Sequence, residues 1–310
     1  MTPKQLARAG PSARDRKTYV AEAGPAGRRS HPLSAIAELV ADLREYRYLL
    51  YQLTLRDIRI RYKQAVMGFA WAIFMPLLIV GSGVLVRYAM AYLSGEQFDS
   101  AIISGLALKS IPWAFFVGSI QFASGALVGN SSLVTKIYFP REVLPISATL
   151  AQAFDSAIGA LALVVVLPFL GLGLSAASLW ALPLTLCLVL LTVGTALLVA
   201  CANLFFRDVK YIVRVLLTFG IFFTPVFFEP TMFGPVGAQL MMLNPVAPIL
   251  EGIRLAVVEG HDLLRPLVDV RGVVVWSPWY LAYAGGWALG IASVGVNLFH
   301  RLEFLFAEYI

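Results

Sequence analysis

The sequence predicts an all-α integral membrane protein. Its expected parts are six transmembrane helices, an N-terminal amphipathic interface helix and two re-entrant half-helices before the last span. Three observations carry this. Of 310 residues, 59% are hydrophobic and only 14% charged, whereas soluble domains are about one quarter charged. The apolar residues gather into six stretches, each able to cross ~30 Å of hydrocarbon. The Lys and Arg residues fall mostly before and between these stretches, in segments that share one side of a membrane.

Residues 1–32 are rich in Arg, Pro, Gly and Ala and lack the apolar run of a secretory signal. They predict a flexible cytoplasmic tail and no cleavable signal peptide. Residues 33–65 predict cytoplasmic interface helices. Leu33, Ile36, Val40 and Leu43 recur at helical spacing, with Glu38 and Asp42 elsewhere on the wheel. From Tyr46 to Lys63, one stripe holds Tyr48, Tyr51, Leu55, Ile58 and Tyr62, and another holds Gln52, Arg56, Arg59 and Lys63. Leu53 and Ile60 fall outside the main apolar stripe. A helix with cations on one side and Tyr and Leu on another suits the headgroup layer. It reads either as a positive-inside anchor or as a docking element for a partner.

The six spans are placed at about 66–92, 103–129, 143–170, 178–204, 211–229 and 279–300. Between the last two, Pro230, Pro235, Pro245, Pro248 and Gly260 break an apolar stretch into runs near 232–243 and 246–258. These are too short to span, so they predict two half-helices dipping in from one side, in a region of about 230–260. Orientation follows from the cations. Nineteen of the 24 Lys and Arg lie before residue 66, in 130–142, in 205–214 or in the tail; Arg87, Lys109, Arg254, Arg265 and Arg271 remain for the other side. Both termini are therefore expected in the cytoplasm, and an even number of spans with two re-entrant segments preserves that.

Several functions are excluded or weakened. The net charge of +6 does not gather on one folded face, so it reads as a topology signal and no nucleic-acid partner is expected. No GxxxxGK[ST], HExxH or GxSxG motif occurs, so nothing argues for catalysis or a bound cofactor in this chain. His31, His261 and His300 are scattered without metal-ligand spacing. Cys187 and Cys201 would lie ~21 Å apart on one helix, too far to bridge.

Candidate functional residues are few. Asp155 is the only acid deep in an expected span. It marks either a functional site, as for a proton relay in an ion-coupled transporter, or a structural hydrogen bond to groups such as Gln121 or Gln152. Aromatic residues cluster in the first span (Phe69, Trp71, Phe74), the second (Trp113, Phe115, Phe116, Phe122) and the fifth (Phe219, Phe222, Phe223, Phe227, Phe228). Their faces can stack on sugar C–H surfaces, or they can simply pack between helices and lipid. The cytoplasmic segment Lys136, Ile137, Tyr138, Phe139, Pro140, Arg141, Glu142 is wet and sticky at once. Pro140 suits the first turn of a helix and drives Phe139 extended. The segment reads as an exposed aromatic knob for a partner pocket, or as a loop lying flat on headgroups.

Three runs carry a family likeness: LTLRDIRIRYKQAVMGFAWAIFMPL (Leu53 to Leu77), KIYFPREVLPIS (Lys136 to Ser147) and LNPVAPILEGIR (Leu243 to Arg254). In this order they resemble the membrane subunit of the type-2 ABC exporters of bacterial polysaccharides, a group that includes O-antigen, teichoic-acid, capsule and cell-wall galactan exporters. The likeness runs from about residue 45 to the end, and it assigns no role to the roughly thirty extra residues at the front of the chain. It implies that 66–310 is a six-helix ABC-2-type transmembrane domain in the cytoplasmic (inner) membrane, forming a homodimer with a second copy of itself. Two copies of a separate ABC ATP-binding subunit would bind ATP and Mg, with no cofactor in this chain. It further implies that Lys136 to Glu142 form the ATPase-coupling helix and that the half-helices, with Asn244, Pro245, Pro248, Glu251 and Arg254, narrow the external end of the channel. Phe69, Trp71, Phe74, Phe219, Phe222, Phe223 and Phe227 would line that channel. The substrate implied is a glycan on a polyprenyl diphosphate, with Arg56, Arg59, Arg61 and Lys63 at the depth to attract its diphosphate. The alternatives are an ABC permease for a small hydrophobic compound or lipid, and an ion-coupled secondary transporter.

Overall fold

A computed structural model describes residues 32–63, 70–95, 100–137, 139–166, 168, 173, 175–269 and 272–309. In chain order these form α1 (Pro32–Glu45), α2 (Arg47–Tyr62), α3 (Ala70–Ser94), α4 (Ser100–Ser124), α5 (Ala126–Gly129), α6 (Ser131–Lys136) and α7 (Val143–Val166). There follow α8 (Ala181–Phe205), α9 (Val209–Gly220), α10 (Gly234–Met242), α11 (Val246–Val258), the strands β1 (Leu267–Val268) and β2 (Val274–Trp276), then α12 (Trp279–Leu302) and α13 (Phe306–Tyr309). Phe69 and Tyr138, both expected at functional positions, lie outside the described residues.

Among the described residues, five helical stretches are long and apolar enough to cross a membrane; three lie within α3, α4 and α7, and two include α8 and α12 and run a few residues beyond them. The fifth expected span differs. Over 211–229 the helix ends at Gly220, so α9 is only ~18 Å long, short of the ~30 Å needed. The local chemistry explains the stop. Thr224 Oγ1 donates to Gly220 O at 2.8 Å, the next residue is Pro225 with no N–H, and Val226 N turns back to Thr224 O at 2.6 Å. This unwound stretch is buried at Thr224, Pro225 and Val226, where the surrounding protein tolerates irregular backbone.

The two short runs before the last span are indeed helices, α10 and α11. Asn244 makes the break between them. Its Oδ1 accepts the Val246 N–H at 3.1 Å and its Nδ2 donates to Thr224 Oγ1 at 2.9 Å, tying the start of α11 to the unwound end of the fifth stretch. The sequence pattern did not indicate the hairpin that follows. β1 and β2 pair antiparallel and seat the fully buried Trp276, whose Nε1 donates to Leu263 O at 2.9 Å.

Two apolar cores stack along the bundle. One, at the hairpin end, joins α11, β2 and the starts of α8 and α12. The other, at the end bearing α1 and α2, joins Leu39 and Leu53 to the start of α7 and the far halves of α8 and α12. Both cores need α8 and α12 to touch closely. A Cβ on Gly194 would lie 2.5 Å from Ile291 O, and one on Gly295 would lie 2.5 Å from Gly194 O. With Ala284, Ala288 and Ala292 also buried on α12, the contact is built from small residues that let backbones approach where lipid offers no hydrophobic drive.

The packed face of α2 follows its apolar stripe only at Ile58 and Tyr62. Leu53 and Ile58 are buried, whereas Tyr48 and Tyr51 are exposed. The inward face runs through Leu50, Leu53, Asp57, Ile58 and Arg61, so α2 leans its polar side chains onto α7 instead of lying as a simple amphipathic float.

Candidate functional site

Asp155 sits twelve residues into α7, ~18 Å along its axis. The helix α2 brings it two partners from one turn. Arg61 Nη1 meets Asp155 Oδ2 at 2.6 Å and Gln152 Oε1 at 2.9 Å, and Tyr62 donates to Asp155 Oδ1 at 2.6 Å. Four residues earlier on α2, Asp57 Oδ2 accepts from Ser147 Oγ at 3.1 Å. Two rungs therefore fix α2 along α7. Burial, reinforced by the hydrogen bond to Asp155, raises the Tyr62 phenol above its ordinary value, so it stays a donor. Of the two sequence readings of Asp155, the geometry gives it inter-helix partners. Those partners are Arg61 and Tyr62, which were not foreseen; Gln152, on the same helix as Asp155, accepts from Arg61 and does not bond Asp155.

Beside this cluster lies a cavity of about 360 Å³, lined by Arg61 and Tyr62 from α2, Trp71 and Met75 from α3, Ile111, Ala114 and Phe122 from α4, and Gln152, Asp155 and Ser156 from α7. The Arg61 guanidinium lies 3.6 Å from the centroid of the Phe122 ring, in cation–π range. Phe74 stands edge-on to Trp71 at 5.5 Å. The other expected cations of α2 are elsewhere: Arg56 pairs with Asp57 at 2.8 Å, and Arg59 and Lys63 are exposed.

The segment expected to be a coupling helix is arranged differently. The helix precedes it as α6, Lys136 is its last residue, and Ile137 is extended. Ile137 is 54% exposed but Phe139 only 6%, so the described aromatic is a core residue and not a knob. Pro140 and Arg141 begin the turn into α7. Arg141 donates through its guanidinium to Glu303 O and through its backbone N to Glu303 Oε1 at 3.3 Å. Glu142 is buried and pairs with His300, so His300 is not the isolated residue its sequence context suggested. Among the described residues, Ser132, Thr135, Lys136 and Ile137 are exposed on the outer surface here. The inner surface clamps α7 to the end of α12 and to the segment Glu303–Leu305.

At the hairpin end, α11 carries a buried charge cluster. Glu251 is fully buried and receives Arg254 Nη2 at 2.6 Å and Nε at 2.9 Å, while Lys109 of α4 approaches its other oxygen at 3.6 Å. Arg254 also reaches Glu259 at 2.7 Å. Lys109, counted from sequence only as an external cation, is thus the partner that binds α4 to α11. Pro245 is the N-cap of α11 and Pro248 lies in its first turn. Nearby, Phe222, Phe227, Phe228 and Phe233 form a row of edge-to-face rings 5.7 to 6.4 Å apart. Phe219 and Phe223 are exposed on the turn side of α9. The structure therefore separates the described aromatics: Trp71, Phe74 and Phe122 lie at or beside the Asp155 cavity, Trp113, Phe115 and Phe116 belong to the hairpin-end core, and Phe222, Phe227 and Phe228 form the row that ends at Phe233.

Comparison with known proteins adds to this geometry. The family described as ABC-2 type transporter matches residues 48–258, a stretch that contains all of α2 but its first residue, the segment 136–142 and all of α11. Two permeases named O-antigen export system permease protein RfbA from Klebsiella pneumoniae are 24% and 25% identical over 263 residues, covering 84% of this chain and 95% of each relative. A protein of the same name from Myxococcus xanthus is 29% identical over 250 residues, covering 77% of this chain and 93% of the relative.

Proposed function

Because the chain belongs to the ABC-2 type transporter family, we propose that it is the channel-forming permease of an exporter that moves a lipid-linked polysaccharide across the cytoplasmic membrane. The relatives' names support the substrate class, since this chain matches nearly their whole length. Two copies assemble as a homodimer with two copies of an ATP-binding subunit, which binds ATP and Mg and hydrolyses the nucleotide. Both termini face the cytoplasm, a placement that the distribution of Lys and Arg supports. The fifth stretch crosses as α9 plus its buried, unwound continuation, and α10 and α11 are the re-entrant pair that closes the outer end.

The observation that carries the mechanism is the two-sided coupling segment. Its outer residues Ser132, Thr135, Lys136 and Ile137 are available to a partner, and its inner residues Phe139, Arg141 and Glu142 are locked to α7, His300 and Glu303. A push from the ATP-binding subunit thus reaches the third and last spans as one rigid displacement. The Arg61–Asp155 pair also weakens the ion-coupled alternative, because Asp155 already has a counter-charge at 2.6 Å. Arg59 and Lys63, exposed at the end of α2, attract the diphosphate.

The test is copurification with the ATP-binding subunit, ATP turnover of the complex, and appearance of surface glycan in cells. Lys136→Glu with Ile137→Ala is expected to lower glycan-dependent ATP turnover and export together while the fold is retained. Normal export in a gene deletion would overturn the assignment.

A further inference from the structure

We infer that the cavity between α2, α3, α4 and α7 is a saccharide subsite, in which Asp155 and Gln152 accept hydroxyl hydrogen bonds and Trp71 supplies a stacking face. This rests on the exporter reading above and adds to it a defined place where the glycan, as opposed to its lipid, is held.

The electrostatics select the ligand. Arg61 and Asp155 face each other at 2.6 Å, so the cavity wall is formally neutral. A phosphate group entering it would meet the Asp155 carboxylate, and a cation would meet Arg61. A neutral molecule rich in hydroxyls meets neither penalty. Asp155 uses one contact per oxygen, to Arg61 and to Tyr62, and a carboxylate has about four lone-pair sites. It therefore retains acceptor capacity toward the cavity, and hydrogen bonds to a charged acceptor are the stronger kind.

The walls fit the same ligand. Trp71, Phe122 and Met75 are exposed apolar side chains that line the cavity. Ser156 adds a hydroxyl and Gln152 an amide. Apolar ring faces beside a few convergent polar groups are the general form of a small-molecule site, and about 360 Å³ lies within the usual range of roughly 300–1,000 Å³. A cavity meant only for a lipid tail has no use for a carboxylate, an amide and a guanidinium on one wall. The position suits a sugar too: α2 ends in the exposed Lys63 just beyond Tyr62, so a sugar in the cavity can stay joined to a diphosphate outside it.

The test uses the full-length chain with its ATP-binding partner in nanodiscs. It titrates two radiolabelled probes: a polyprenyl diphosphate bearing one N-acetylglucosamine, and the same polyprenyl diphosphate without sugar. Wild type is expected to bind the sugar-bearing probe about tenfold more tightly, the equivalent of one good charge-assisted hydrogen bond. Trp71→Leu and Asp155→Asn are expected to reduce that preference to less than about twofold, with the sugar-free probe unaffected by Trp71→Leu. Trp71→Phe, which keeps a ring, should restore most of it and excludes a mere folding defect. Equal affinity of wild type for both probes, or an equal loss for both in Trp71→Leu, overturns the subsite and makes the cavity a lipid or anion site. Surface glycan is scored in parallel. If deleting the gene stops export but wild type shows no sugar preference, the subsite alone falls. If deletion leaves export intact, the exporter reading falls and the subsite with it.

Discussion

Replacing Glu251 with Gln removes one negative charge and almost no volume from the centre of the α4–α11 contact. Glu251 is 0% exposed, and its side-chain partners Lys109 and Arg254 are 3% and 9% exposed. At an effective dielectric of about 20, a charge pair at 3.6 Å is worth ~5 kcal/mol before desolvation. The Gln amide would still accept one bond from Arg254, but Lys109 loses its ion-pair partner within 4 Å among the described residues, and Arg254 keeps its pair with the half-exposed Glu259. Removing one member of a buried pair typically costs about 3–5 kcal/mol, so Glu251→Gln is expected to fall in that range. Glu259→Gln, whose side chain is 41% exposed, is expected to change stability by less than ~1 kcal/mol. The assay is reversible unfolding in mixed micelles, with Lys109→Met added to Glu251→Gln as the decisive control. Removing the stranded ammonium should recover about 1–3 kcal/mol through coupling between neighbours. A loss under ~1 kcal/mol for Glu251→Gln, or no recovery in the double variant, would mean that water reaches the cluster and that the charges do not hold α11 to α4.

The other predictions concern packing. Gly194→Ala places a methyl 2.5 Å from the Ile291 carbonyl and is expected to destabilise by about 1–3 kcal/mol. Gly290→Ala, which meets nothing within 4 Å, should be neutral or gain up to ~1 kcal/mol from helix propensity. The same unfolding assay separates them, and equal effects would refute the α8–α12 crossing. Phe139→Ala is expected to lose about 3–5 kcal/mol of stability because a core ring is deleted. Ile137→Ala should lose less than ~0.5 kcal/mol while lowering glycan-dependent ATP turnover; the reverse pattern would invert the two faces assigned to the coupling segment.

The long apolar spans were legible in the sequence because a run of twenty or more apolar residues has few other solutions. The two short helices before the last span were legible too, because prolines punctuate them. The fifth stretch was not. Its apolar run continues past Gly220 while Thr224 and Pro225 end the helix, and hydropathy does not register that event. The α2 face was misread for a related reason. Periodicity assumes that the apolar side is the packed side, but α2 packs through Asp57 and Arg61, whose partners Ser147 and Asp155 lie on a distant span. Phe139 was expected outside because its neighbours Lys136, Arg141 and Glu142 are charged. Glu142 is inside as well, paired with His300, which follows it by more than 150 residues in sequence. Lys109 and Glu251 are likewise far apart in the chain, and no local pattern links them. What single-sequence reading loses here is the choice of polar partner.

That choice has a mechanical consequence. Apolar helices in lipid have no hydrophobic reason to prefer one rotation about their axes over another. Each buried charge on a long span removes that freedom by selecting a short element: Asp155 on α7 selects α2, and Lys109 on α4 selects α11. The interface helix should therefore travel with the third span and not slide past it during transport. In a background with Cys187 and Cys201 replaced by Ala, Asp57→Cys and Ser147→Cys stand on side chains now 3.1 Å apart and can be joined by a short bis-methanethiosulfonate, which forms a reducible disulfide at each cysteine and releases methanesulfinate. If α2 and α7 move as one body, the bridged protein retains at least about half of the export of the unbridged double variant, an energetic difference of under ~0.5 kcal/mol in the limiting barrier. Arrest of export on bridging, reversed by reductant, would show that the two rungs open in each cycle and that the Arg61–Asp155 pair is a moving part.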